Sequence, residues 1–409
     1  MTIRPLPTEP LRRVVLSMEQ ALSLPYATER MVQLGWRVIR LEPTPIPGRK
    51  AKGDPNRYVG KPVAGEDRAS YFVAPNCGKE AIAVDLKSEA GRELLAQLIR
   101  GLDVEIFCTN TMPARHAGLG LDYEALRAVR EDLIWCSISA MGLAYPEVPG
   151  YDPVMQALCG YMDLTGEADG PPMQAGVPLV DLKAGDEAFT QVLAALLDRA
   201  EGRGGRAIDI SMAQVALSWL PTVLPLLDLG SSADELRRAG NEHRQFVPVN
   251  AYPTADGFIY LALGSDAQWA RLVLEPIFAS LADPAYATNA GRKARRADLH
   301  GAIARLTASQ STAAVAAALV RAEVPNAPIS TLDELTSLPF VREALLRTKT
   351  PDGRTVRLPP PAVGTAHLAS LGGELPFAPA YGAHTQSVLE EAGLSAAEIA
   401  MLRAQGVVA

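Results

Sequence analysis

Three adjacent stretches decide the fold: "RRVVLSM" (12–18), "YATERMVQLG" (26–35) and "WRVIRLE" (36–42). The outer two are short apolar runs of strand character, and the middle one carries a helical pattern. Strand, helix and strand in that order make a βαβ unit, which demands parallel strands and a right-handed crossover. The pattern repeats downstream. "AIAVDL" (81–86), "VEIFCTN" (104–110), "LIWCSISAMG" (133–142) and "AIDISM" (207–212) read as strands. "SEAGRELLAQLIRG" (88–101) and "YEALRAVR" (123–130) read as helices, and a longer helix follows Asp181 to about Ala200. The strands are continuous apolar runs, as expected where both faces of a sheet are covered. The predicted class is therefore α/β with a Rossmann-like parallel sheet. Ligands on such sheets sit at the carboxyl ends of the strands, here near Met18–Pro25, Glu42, Asn110 and Met141.

A chain of 409 residues exceeds the usual reach of one hydrophobic core, so two domains are expected. The composition, 48% hydrophobic and 21% charged, is that of a soluble globular protein. The net charge of −7 gives no basic footprint for nucleic acid or an anionic membrane, although it leaves room for a local anion pocket. No apolar run reaches bilayer length, and "MTIRPLPTEPLRR" (1–13) lacks a secretory apolar segment, so a cytoplasmic location is expected. Cys77, Cys108, Cys136 and Cys159 are widely spaced and read as buried thiols rather than disulfides or metal ligands.

Near residue 231 the character of the chain changes. "VNAYPTADGFIYLALG" (249–264) reads as a hairpin with Asp256-Gly257 at its turn, and helices follow to about Glu323. Before it, "AQVALSWLPTVLPLLDLG" (213–230) reads as a mostly apolar helix. Between strands, "PTPIPGRKAKGDPNRYVGKP" (43–62) is too polar for core and long for a plain connection. It is either a solvated insertion or a functional loop.

Several chemical signatures are missing. "GLGLDY" (118–123) is not a dinucleotide fingerprint, no phosphate-binding P-loop or GxSxG elbow occurs, and the five histidines have no ligand spacing. What remains is carboxylates. Asp181 lies in "GVPLVDLKAG" (176–185), between an apolar pentad and a new helix. It reads either as a helix N-cap or as a nucleophile.

"VIRLEP", "PNCGKEAIAVDLKSEAGRELL", "GLGLDYEALRAVREDLIWCSIS", "GYDPVMQALCGYMDLTGEADGPP", "DLKAG" and "GRAIDISM" occur in one order. With "YPTADGFIYLA", "VPNAPISTLDEL" and "YGAHTQSVLEEAGLSAAEI" they cover nearly the whole chain. The set resembles the class III coenzyme A transferases, the family of formyl-CoA transferase, carnitine CoA-transferase and the bile-acid-inducible enzymes. The resemblance implies a Rossmann-like CoA-binding domain over 1–212, a helical linker over 213–230, a small α+β domain over 231–323 and a 324–409 segment that returns to the large domain. It also implies a dimer of interlocked rings in which a partner covers the apolar linker.

By the same resemblance Asp181 is the nucleophile, moving CoA from an acyl-CoA to a carboxylic acid through an aspartyl anhydride and an aspartyl-CoA thioester. An ordinary aspartate, with a pKa of about 3.9, is ionised at neutral pH and needs no general base. CoA and acyl-CoA enter as substrates, and no permanently bound cofactor or metal is expected. Lys79, Asn110, Tyr151 and Met212 match pocket positions of the family, and Arg40 and Glu42 close the second strand in its manner. Four positions depart from formyl-CoA transferase: Pro43, Thr111, Gly118 and Pro149. Arg115, His116 or the basic 49–61 loop are the substitutes for its phosphate contacts. Glu19-Gln20 resembles branches that handle small dicarboxylic or branched acids. Two alternatives stay open. An α-methylacyl-CoA racemase needs histidine where this chain has Tyr151, and a non-catalytic subunit of a hetero-oligomeric transferase would not need Asp181.

Overall fold

The computed structural model describes residues 13–46, 48 and 50–409. Six strands form one sheet: β1 (Val14–Met18), β2 (Arg37–Glu42), β3 (Glu80–Ala83), β4 (Ile106–Thr109), β5 (Ile134–Ser139) and β6 (Ala207–Ser211). All neighbours are parallel and the order is β3-β2-β1-β4-β5-β6. Strand order reverses between β1 and β4, and a crevice for ligands opens at such a switch point. Every residue of β4 and β5 is buried, which is why both read as unbroken apolar runs.

The helices of this part of the chain that bear on the site are α1 (Ser23–Gln33), α2 (Glu89–Gly101), α3 (Tyr123–Val129), α4 (Asp152–Leu158), α5 (Leu179–Ala200) and α6 (Met212–Leu217). Local chemistry sets several boundaries. Ser88 caps α2 by accepting from the Gly91 amide, and Asp122 caps α3 by accepting from that of Ala125. Leu94, Leu95, Leu98 and Ile99 of α2 recur on one helical face and join Leu16, Phe107 and Trp135 of the sheet in a single core. The buried Trp135 indole donates to the Leu121 carbonyl at 2.8 Å.

The β3 edge of the sheet is sealed by the end of the chain. The Ala81 amide donates to His384 Nδ1 at 3.1 Å, that of Ala83 to Thr385 Oγ1 at 3.2 Å, and that of Ala409 to the Ala83 carbonyl at 3.3 Å. An open edge would otherwise leave these groups free to pair with another chain.

The chain divides into two compact units. The first contains the sheet and consists of residues up to Cys159, Ala175–Leu224 and Ala344–Ala409. The second consists of Gly160–Gln174 and Pro225–Glu343, so it begins earlier and ends later than the 231–323 read from sequence. Its sheet is antiparallel, with β7 (Val249–Thr254) and β8 (Gly257–Ala262) as a hairpin and β9 (Asn326–Pro328) beside β8. Thr254 pairs with Gly257, so the turn is Ala255-Asp256, one residue before the expected site. Asp256 accepts from the amide and hydroxyl of Thr312, both at 2.7 Å, so the turn is fixed by a tertiary contact as well as by its own residues.

The predicted linker helix is also corrected. α6 ends at Leu217, and a short 3₁₀ turn follows only at Leu224–Leu227. Pro221 and Pro225 explain the break: each lacks an N–H and disfavours helical backbone in the residue before it. Among the described residues no helix is long and apolar enough to cross a membrane.

Candidate active site

Asp181 is the third residue of α5, inside its first turn. The N-cap position is Pro178, which has no side-chain oxygen, so the helix-cap reading of Asp181 does not hold. The cap comes from 29 residues upstream. Asp152 Oδ2 accepts from the amides of Val180 at 2.7 Å and Asp181 at 3.2 Å. Its other oxygen accepts from Gln156 Nε2 at 2.6 Å, and Gln156 Oε1 in turn accepts from the Ala175 amide at 3.0 Å. Asp152 and Gln156 are buried and lie one turn apart on α4.

Burial, reinforced by the negative charge of Asp152, pushes the Asp181 carboxyl up to about 7. The expectation of an ordinary, fully ionised aspartate is therefore corrected. Near neutrality Asp181 exists as acid and carboxylate together, and its carboxylate is more basic than that of an exposed aspartate.

One turn beyond Asp181, Gly185 faces the start of α1: a Cβ there would stand 2.6 Å from the Ser23 carbonyl oxygen. This close approach brings the helix of Asp181 to the turn after β1, at the switch point. Ala21 in that turn adopts a left-handed φ of 59°, which costs energy for a residue with a Cβ. Three bonds hold it. The Gln20 amide donates to Asn110 Oδ1 at 2.9 Å, Asn110 Nδ2 donates to the Gln20 carbonyl at 2.8 Å, and the Ala21 amide donates to Asp54 Oδ1 at 3.3 Å. Asn110 thus follows β4 at the switch point, with its amide committed to the turn.

Lys79 and Arg40 are placed differently from the expectation that they meet CoA. Lys79 is buried, and Nζ donates to Glu19 Oε1 at 2.7 Å, Thr28 Oγ1 at 2.7 Å, the Pro25 carbonyl at 2.9 Å and Asn76 Oδ1 at 3.2 Å. Burial lowers it to about 8 even with Glu19 beside it. Arg40 is sealed between Asp54, at 2.8 Å, Asn76 and the Glu19 carbonyl. With three ammonium protons facing four acceptors, Lys79 has no donor left for a phosphate. Glu19 is taken up by Lys79, Ser17 and Thr28, so it is a structural acceptor and not a group that reads an acid substrate.

The 43–62 loop is anchored by two buried side chains, Asp54, which meets Arg40 and the Ala21 amide, and Arg57. Arg57 is fully buried, grips Glu42 through Nε at 2.8 Å and donates to the Pro379 carbonyl at 3.0 Å. Its guanidinium lies 4.0 Å from the centre of the Phe72 ring. Met212, at the start of α6, is buried core. Tyr151 is 68% exposed at the N-cap position of α4, next to Asp152. Arg115 is exposed, as are Lys50 and Lys52 of the basic loop, whereas His116 is buried with Nε2 2.8 Å from the Thr111 carbonyl oxygen, so of the proposed phosphate contacts His116 is the inaccessible one. Around Gly118 a Cβ would meet open space.

Sequence reading missed Asp152, Gln156 and Asp54. Asp152 followed by Pro153 marks a helix start, but nothing local shows that its carboxylate serves a different helix. Among the described residues no group of His, Cys, Asp or Glu side chains is arranged to hold a metal ion.

Comparison with known proteins agrees with this geometry. The chain matches the model of CoA-transferase family III over residues 13–385. It is 33% identical to the succinate–glutarate CoA-transferase of Agrobacterium fabrum, over 96% of this chain and 98% of that one. It is 29% identical to the succinyl-CoA:glutarate CoA-transferase of Mus musculus, over 94% and 86%. Against the acetyl-CoA:oxalate CoA-transferase of Acetobacter aceti it is 31% identical, over 80% and 82%. The crystal structure of a CAIB/BAIF family protein from Brucella suis superposes with a TM-score of 0.79 at 29% identity, covering 93% of this chain and 98% of that one. A family match over residues 13–385 and relatives alike over nearly the whole chain converge on one assignment: the chain belongs to CoA-transferase family III and is a CoA-transferase.

Proposed function

We propose that this enzyme moves coenzyme A from an acyl-CoA to a small dicarboxylic acid, with Asp181 as the covalent carrier. The observation that supports this most directly is the placement of Asp181: held on a helix, largely shielded from water, and raised to about 7 so that its carboxylate is a stronger nucleophile. A carboxylate oxygen of Asp181 attacks the thioester carbonyl, the C–S bond breaks, and a mixed anhydride forms as CoA leaves as thiolate. The thiolate attacks the aspartyl carbonyl of that anhydride and releases the donor acid as its carboxylate. The acceptor carboxylate attacks the aspartyl-CoA thioester, giving a second anhydride and free thiolate. Attack of this thiolate on the acceptor carbonyl yields the new acyl-CoA and restores Asp181. Each step trades one activated acyl group for another, so no ATP is consumed. A succinyl or glutaryl group suits the reading because several of the similar proteins are named for those acids. Arg115 is an accessible cation proposed to meet a CoA phosphate.

The test is intact-protein and peptide mass spectrometry after mixing with succinyl-CoA. The proposal predicts a CoA adduct on the peptide containing Asp181, absent from Asp181→Ala. An unmodified wild-type chain that still exchanges CoA would defeat it.

The interlocked homodimer is part of the same proposal. Leu217, Trp219, Leu224 and Leu227 remain about half exposed around the broken linker, more apolar surface than a solvated segment needs. A partner chain over Trp219–Leu227 would cover it. A folded, active monomer in sedimentation at nanomolar concentration would rule this assembly out.

A further inference from the structure

We propose that Asp152 is a positioning residue for CoA transfer: its carboxylate fixes the first turn of the helix carrying Asp181, and its charge favours the acylated, neutral form of Asp181 over the free carboxylate. The inference rests on the covalent reading given above and goes beyond it, because no covalent step needs Asp152 to touch the substrate.

The geometry carries the first half. α5 begins without a cap of its own, since Pro178 supplies neither a side-chain oxygen nor an N–H. Asp152 takes that place from α4 by accepting from the Val180 and Asp181 amides. The second of these bonds ends on the backbone of the nucleophile itself. Gln156 locks the rotamer of Asp152 and ties it to the Ala175 amide, so the chain entering α5 is fixed at the same point. A buried carboxylate used only as a cap could be replaced by a serine or threonine, which cap almost as well.

The second half follows from what the charge does during the cycle. Free Asp181 carries a negative charge beside that of Asp152, in a place where burial disfavours any charge. When Asp181 attacks a thioester, its charge departs on the CoA thiolate and the adduct is neutral. Burial and repulsion then act on the free carboxylate and not on the anhydride or the aspartyl-CoA thioester. The same two effects that raise the basicity of Asp181 therefore raise the standing population of the covalent enzyme.

Among the described residues no other charge around the start of α5 is placed to do this. α5 itself contributes Lys183, paired with Glu187, Asp186, paired with Arg30 of α1, and at its far end Asp198 and Arg199, paired with Arg203 and Glu105. The remaining acid of α1 near the sheet, Glu29, is hydrogen-bonded by Gln33. β6 contributes Asp209, which accepts from the Leu143 amide, while β5 and α6 bring no charged side chain.

The test compares Asp152→Asn and Asp152→Glu with wild type. Asparagine keeps an oxygen for the α5 amides and removes the charge. Glutamate keeps the charge and changes the reach. Two quantities are read with succinyl-CoA as donor and glutarate as acceptor: the acidic limb of kcat/KM against pH, and the fraction of enzyme found as the CoA adduct by rapid-quench mass spectrometry. For Asp152→Asn the limb should move down by about one pH unit and the adduct fraction should fall roughly tenfold relative to free enzyme, since one pKa unit and a tenfold change in equilibrium are the same free energy. For Asp152→Glu the limb should stay where wild type has it while kcat falls. An unmoved limb and unchanged adduct fraction in a folded Asp152→Asn overturn the proposal. If that variant does not fold, a limb in Asp152→Glu displaced as far as an Asp181-independent background overturns it equally. A wild-type enzyme that forms no adduct at all would instead sink the covalent reading beneath it.

Discussion

Gly185 meets the carbonyl of Ser23: a Cβ at that position would lie 2.6 Å from the Ser23 oxygen and 2.8 Å from the Tyr26 ring. The contact is to backbone, so it cannot be relieved by turning a side chain. Because Gly185 is one turn from Asp181, any relief must come from moving the helix of Asp181 away from α1.

Gly185→Ala is accordingly expected to damage function out of proportion to its size. Overpacking of this kind typically costs about 1–3 kcal/mol. Thermal unfolding should show a lower midpoint. Transfer activity, measured well below that midpoint, should still be reduced on the order of tenfold, because Asp181 shifts relative to the β1–α1 turn. Wild-type turnover in a destabilised Gly185→Ala would show that the α1–α5 spacing matters to stability alone.

Asp181 should itself be a burden on the fold. Its folded-state pKa of about 7 lies above the ordinary 3.8, so between these values the native chain keeps a proton that the unfolded chain releases. Stability is therefore lost as pH rises through that window, and the loss is fully present above about 7. Asp181→Asn removes the ionisation. It should be inactive and, at pH 8, more stable than wild type by on the order of 1 kcal/mol or more. At pH 4 the difference should nearly vanish. Denaturant titrations at the two pH values read this directly, and an equal gain at both would mean that charge is not the cause.

The Glu19–Lys79 pair predicts a different pattern. Both side chains are inaccessible, 2.7 Å apart, and Lys79 has three further acceptors. Removing one partner leaves a buried charge, which typically costs about 3–5 kcal/mol. Lys79→Met and Glu19→Gln should each destabilise strongly, and the double variant should recover part of the sum. If Lys79→Met keeps its stability but raises KM for acyl-CoA, the lysine meets the substrate after all.

What the sequence made legible was whatever is written in local pattern. The strands of the main sheet show as apolar runs because both faces are covered, and α2 and α3 announce themselves through Ser88 and Asp122 at their caps. The candidate site was legible as positions only, Asp181 near a helix start and Asn110 just after β4. Its finer arrangement was not, because it consists of bonds between distant residues. Asp152 caps a helix that begins 27 residues later, and Asp54 reaches back 33 residues to the Ala21 amide. The burial of Lys79 was illegible for the same reason, since a lysine before a strand looks alike whether it faces a ligand or a buried glutamate. The linker failed on a local signal given too little weight: Pro221 and Pro225 stop a helix whatever its apolar content.

The last prediction concerns which bond this site breaks. A racemase must remove the α-proton of an acyl-CoA and return one from the opposite face, which requires two groups able to exchange protons near neutrality. Asp181, at about 7, qualifies as one. The second would have to be Tyr151, the residue that stands where a racemase needs histidine, and it is largely exposed. The two chemistries separate in D₂O without knowledge of the natural substrate. A chiral 2-methylacyl-CoA incubated with the enzyme should gain no enzyme-dependent α-deuterium. Succinyl-CoA with glutarate should give glutaryl-CoA, and hydroxylamine added during turnover should convert Asp181 to its hydroxamate by intercepting the activated aspartyl carbonyl. Tyr151→Phe should leave the second reaction within a fewfold of wild type, since no transfer step asks the hydroxyl for a proton. Rapid α-exchange without CoA transfer or hydroxamate would assign Asp181 to proton work instead, with a second base other than the ones recognised in this fold.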